Sequence, residues 1–98
     1  MDETKLARIR DDIAAARRKP QTQGDLAGLA SRLGRTHRKG GKGKHQTWVT
    51  SLPGCYPLSI PAGKRRDLKP GTKKSVLDQL EGDVEAWEMM LQEQANGA

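Results

Sequence analysis

Phenylalanine is absent from the chain, and its aromatic residues are only Trp48, Tyr56 and Trp87. Any core therefore has to be built mainly from Leu, Ile, Val and Ala, which with the other apolar residues make up 34% of 98 positions. A chain of this length buries about 60 to 65% of the surface its unfolded form exposes, enough for one modest domain and too little for a multidomain enzyme. Cysteine is nearly absent as well. Cys55 alone cannot close an intramolecular disulfide or furnish a thiolate cage for a metal, and it reads as a small, half-buried strand residue. No apolar run approaches the roughly 20 residues of a membrane span, and the opening stretch MDETKLARIR is charged with no apolar segment behind it. A soluble, cytoplasmic protein without membrane contact is expected.

Acidic residues are missing from the middle of the chain. Residues 34–75 hold eleven Lys and Arg against Asp67 alone, a local charge of +10, whereas residues 1–33 sum to +2 and residues 76–98 to −6. Such segregation produces a local potential far above that of the net +6, and concentrated positive charge attracts polyanions such as nucleic acid. Glycines interrupt the run Arg38-Lys39-Gly40-Gly41-Lys42-Gly43-Lys44, which allows its backbone to approach phosphates closely. A second basic cluster, Lys64-Arg65-Arg66, lies in a Pro/Gly-rich connection.

Periodicity gives the elements. Leu6, Ile9 and Ile13 fall on one stripe of a helix from Asp2 to about Arg18, ended before Pro20. Thr22 and Asp25 form a capping-box pattern ahead of Leu26, Leu29, Ala30 and Leu33, and Gly34 supplies a left-handed stop. Brief strands are expected over Arg35–Lys39, over His45–Ser51 with Trp48 facing the core and His45 on the opposite face, and from Tyr56 through Leu58 to Ile60 after a Leu52-Pro53-Gly54-Cys55 turn. Thr72 is expected to cap a helix carrying Val76, Leu77 and Leu80. A break at Gly82 would then give a fresh helix capped by Asp83 and burying Val84, Trp87 and Leu91, followed by a disordered tail over 94–98. The order α-α-β-β-β-α-α implies a single α+β domain, with helices on one face of a small antiparallel sheet and the other face open.

His45 is the candidate for chemistry, because imidazole is the side chain that exchanges protons near neutrality. Lys42 and Lys44 flank it and are expected to favour its neutral form, able to accept a proton beside cations that stabilise a charged phosphate. That combination suits cleavage of an RNA backbone. His37 and His45, without carboxylates or thiols nearby in sequence, make a poor metal set, and no cofactor motif or nucleophile elbow is present. The alternative is a binding module for RNA or DNA in which His45 is one more surface donor.

Three stretches together resemble one family: Gly43-Lys44-His45-Gln46-Thr47-Trp48, Leu58-Ser59-Ile60-Pro61, and Asp67-Leu68-Lys69-Pro70-Gly71-Thr72 running into Lys73-Lys74-Ser75-Val76-Leu77. They look like the HicA toxins, also called YcfA-like proteins, of HicAB toxin–antitoxin systems. The likeness spans about Asp25 to Leu80, with Lys44 where that family usually has Ser and Gln46 where a second His is common. The resemblance implies a double-stranded-RNA-binding-like α-β-β-β-α core over residues 22–81, with an N-terminal helical extension over 1–20 and a short C-terminal helix over 83–93. It further implies a metal-independent endoribonuclease acting on messenger RNA, with His45 as its catalytic residue and a HicB-like antitoxin as its protein partner. Lys39, Lys42, Lys44, Lys64, Arg65, Arg66, Lys69, Lys73 and Lys74 are the residues expected to hold the RNA.

Overall fold

A computed structural model describes residues 1–38, 45–61 and 66–96. Helix α1 spans Glu3–Ala16 and starts at Asp2, whose carboxylate accepts the Lys5 backbone N–H at 2.8 Å. Its buried stripe is Leu6, Ile9, Ile13 and Ala16. Helix α2, Gln23–Arg32, is held at its start by the reciprocal bonds of a capping box. The Asp25 amide donates to Thr22 Oγ1 at 3.2 Å, and the Thr22 amide to Asp25 Oδ2 at 2.9 Å. Its end is equally well specified. Gly34 adopts φ +91°, and the Gly34 and Arg35 amides donate back to the carbonyls of Ser31 and Ala30, a Schellman closure that turns the chain into the sheet.

Three short strands follow: β1 (Thr36–Arg38), β2 (Gln46–Val49) and β3 (Leu58–Ile60), antiparallel in the order β1-β2-β3. The turn before β3 closes with the Cys55 amide on the Leu52 carbonyl, with Pro53 and Gly54 between them and Gly54 at φ +77°. Cross-strand pairing puts His37, Trp48 and Leu58 in one row, and Gln46 and Ile60 in another row on the same face. Leu58 and Ile60 are wholly buried against the helices and Trp48 packs beside them. Thr36, Arg38, Thr47, Val49 and Ser59 alternate to the opposite face, and none of them joins the core.

Helix α3 runs unbroken over Pro70–Asn96. This corrects three expectations. Pro70 is itself the first helical residue, so Thr72 lies within the first turn instead of capping it. Gly82 does not interrupt the helix, and no separate helix over 83–93 exists, because Val84 and Trp87 prolong the stripe begun by Val76, Leu77 and Leu80. That continuous burial outweighs the roughly 1 kcal/mol a mid-helix glycine costs. The helix also includes Gln94 and Asn96, which were expected in a disordered tail. The architecture is thus α+β with three helices and a three-stranded antiparallel sheet, whose core lies between the helices and one sheet face. No described helix is long and apolar enough to cross a membrane.

Candidate functional site

His45 is exposed and occupies the position immediately before β2. Its expected strand place is therefore shortened by one residue, since β2 begins at Gln46. Continuing the alternation of β2 puts His45 on the side of Thr47, away from the helices. The neighbouring residue Gln46 pairs with Ile60, whose carbonyl accepts from Gln23 Nε2 at 3.2 Å at the start of α2. Two residues earlier the Gln21 carbonyl accepts the Leu68 amide at 2.8 Å, just ahead of α3. The end of the sheet that carries His45 is thereby linked to the starts of α2 and α3. Beside that junction lies a cleft of about 350 Å³, lined by Arg17, Arg18, Lys19 and Pro20 from one side and Asp67, Leu68, Pro70 and Lys73 from the other.

The acidic helix takes up part of the positive charge beside that cleft. Three of its carboxylates pair along α1, which runs antiparallel to it: Glu88 with Arg10, and Glu81 and Asp78 with Arg17 at 2.6 and 2.9 Å. Lys74 adds a second partner to Asp78 at 2.7 Å. The Lys74 hydrogen bond, and then that of Arg17, hold the Asp78 carboxyl below its ordinary range. Lys73 donates to the carbonyls of Arg17 and Lys19, both at 3.1 Å, so it closes the open carbonyl end of α1. Arg38, Arg66 and Lys69 are exposed and make no ion pair among the described residues.

Beneath the sheet lies a buried charge pair that sequence reasoning missed. Arg35 donates Nε to Asp83 Oδ2 at 2.6 Å and Nη2 to Oδ1 at 2.8 Å, with both side chains 1% exposed. Arg35 Nη1 donates to the carbonyls of Trp48 and Tyr56 at 2.9 and 3.0 Å. One guanidinium thus ties the start of β1, the middle of β2, the approach to β3 and the centre of α3. Asp83 had a detectable signature: it lies seven residues after Val76 and three after Leu80, on the apolar stripe, where an acid requires a buried cation. Burial raises the Cys55 thiol above its usual pKa, and the charge and hydrogen bonding of Asp83 push the same way. A protonated Cys55 is a poor nucleophile.

Of the residues expected at the site, His45, Arg66, Lys69, Lys73 and Lys74 are described. The last two are engaged within the protein, at α1's end and at Asp78. Lys39, Lys42, Lys44, Lys64 and Arg65 lie outside the described residues. Arg18 and Lys19 were not singled out from the sequence, because they end a helix far from the basic block. Among the described residues no group of three His, Cys, Asp or Glu side chains is placed to hold a metal ion. No family model, curated protein or solved structure matches the chain.

Proposed function

We propose that this protein is a metal-independent endoribonuclease of the kind its sequence resembles, a HicA-like toxin of a type II toxin–antitoxin system acting on messenger RNA in the cytoplasm. The observation that carries the reading is an exposed imidazole directly following the basic, glycine-rich segment in sequence, while Arg38, Arg66 and Lys69 are exposed and without an ion pair among the described residues. The element order around the sheet, helix, three antiparallel strands, helix, suits a double-stranded-RNA-binding-like core with α1 as its extension.

In this reading His45 takes the proton of a ribose 2′-hydroxyl. The 2′ oxygen then attacks the adjacent phosphorus, the bond to the 5′ oxygen breaks, and the leaving oxygen is protonated, giving a 2′,3′-cyclic phosphate and a 5′-hydroxyl. Lys42 and Lys44, which adjoin His45 in sequence, stabilise the charge on the phosphate, and Lys39, Lys64, Arg65, Arg66 and Lys69 hold the strand. Lys73 and Lys74 join them only by giving up the α1 carbonyls and Asp78. A HicB-like antitoxin covering this cationic end would silence the enzyme. Induced expression should arrest growth and degrade messenger RNA, His45→Ala should abolish both, and growth arrest by a stably expressed His45→Ala protein would overturn the proposal.

A further inference from the structure

The row of side chains across the sheet runs from core to edge: Leu58 is wholly buried, Trp48 is half-buried, and His37 on the edge strand is exposed. The His37 imidazole lies on the Trp48 indole, with ring centroids 5.2 Å apart and planes 23° from parallel. The indole is fixed in turn, because its Nε1–H donates to Gln46 Oε1 at 3.2 Å and its backbone carbonyl accepts from the buried Arg35. One face of the imidazole is occupied by Trp48, so its solvent exposure falls on the outer face and edge. His37 is not among the core residues, whereas Trp48 packs against the core and Leu58 is part of it.

We infer that the outer face of His37, backed by Trp48, is a stacking platform for one unpaired base of single-stranded RNA; this deepens the ribonuclease reading and rests on it. Proteins that take single-stranded RNA combine cationic groups along the backbone with aromatic faces for the bases, and histidine is among the residues used. Both parts occur at this edge of the sheet, on opposite faces. Arg38, with no ion partner among the described residues, follows His37 on the edge strand with its side chain on the other face, and His45 precedes β2, three residues or roughly 10 Å of extended chain from Trp48, on that same other face. An indole held by Gln46, on a backbone held by Arg35, loses little freedom when a base stacks on the assembly, which favours affinity. A structural edge pair alone would serve equally well with an aliphatic residue at position 37, and this difference is what a test can read.

The test measures binding of a fluorescent single-stranded RNA oligonucleotide by the His45→Ala protein, used to prevent cleavage, alone and with His37→Leu or His37→Tyr added. Leucine still covers Trp48 but offers no π-face. It is expected to weaken RNA binding between about fivefold and a hundredfold, the range one stacked base supplies, while tyrosine restores binding to within about twofold of the parent. An oligonucleotide of the same length made of abasic nucleotides should bind the parent and the His37→Leu protein alike. Equal RNA affinity for leucine, tyrosine and histidine at position 37 overturns the platform while leaving the ribonuclease reading intact. Failure of the wild-type protein either to bind or to cut RNA overturns both.

Discussion

Substituting Asp83 by Asn preserves the shape of the side chain and removes its charge. The Arg35 guanidinium, 1% exposed, would keep its bonds to the Trp48 and Tyr56 carbonyls but lose the counter-ion it meets through two contacts of 2.6 and 2.8 Å. Breaking one side of a buried pair costs about 3–5 kcal/mol, because the remaining charge stays buried without compensation. A domain of this size has roughly 5–15 kcal/mol in total. At about 4–8 °C per kcal/mol, the melting temperature should fall by more than about 12 °C. Urea and thermal melts followed by helical circular dichroism measure this directly. A capping role for Asp83 predicts almost no change, since Asn caps as well as Asp. A loss below about 1 kcal/mol would refute the buried-pair account. The double variant Arg35→Met/Asp83→Leu should recover part of the loss only, because the Trp48 and Tyr56 carbonyls then lack this donor, at about 1–3 kcal/mol each.

Gly82→Ala should raise stability by about 1 kcal/mol, as nothing lies within 4 Å of the new methyl and α3 is continuous there; a destabilised protein in the same melts would restore the break. Gly34→Ala should cost about 1–2 kcal/mol, because φ +91° disfavours a side chain and the methyl would meet the Trp87 ring at 3.4 Å; unchanged stability would contradict this. Asp78, whose carboxyl is held below its usual value by Lys74 and Arg17, contributes stability above the ordinary carboxylate pKa of about 3.9, and that contribution disappears as pH falls through the lowered value. The urea midpoint of Asp78→Asn should therefore trail wild type near neutrality and converge with it in acid, and a gap that persists in acid would show another cause.

Elements whose ends carry local chemistry were legible in the sequence. The Thr22–Asp25 box, the Gly34 stop and the Pro53-Gly54 turn are each specified by a few adjacent residues, and α2 and the β2–β3 connection follow from them. The boundary at Gly82 was misread because intrinsic propensity there is overruled by contacts with residues distant in sequence. Trp87 Nε1 donates to the Leu33 carbonyl at 2.7 Å, 54 positions away, and Asp83 is held by Arg35, 48 positions away. Charge segregation pointed to the basic middle of the chain, yet it could not show that the acids of α3 would be taken up by Arg10 and Arg17. It also hid the different fates of neighbouring cations, with Lys69 exposed and Lys73 closing α1.

His45 precedes β2 on the surface, so His45→Ala should leave the fold within about 0.5 kcal/mol of wild type and any loss of activity reports on chemistry. The most direct measurement is in vitro cleavage of a defined RNA in excess EDTA by both proteins, alongside an oligonucleotide lacking the 2′-hydroxyls. The account predicts cutting of RNA by wild type with cyclic phosphate ends, a fall of about 10² to 10⁴-fold for His45→Ala, and no cutting of the deoxy strand. Intact RNA with wild type, or equal cleavage by the two proteins, would contradict it.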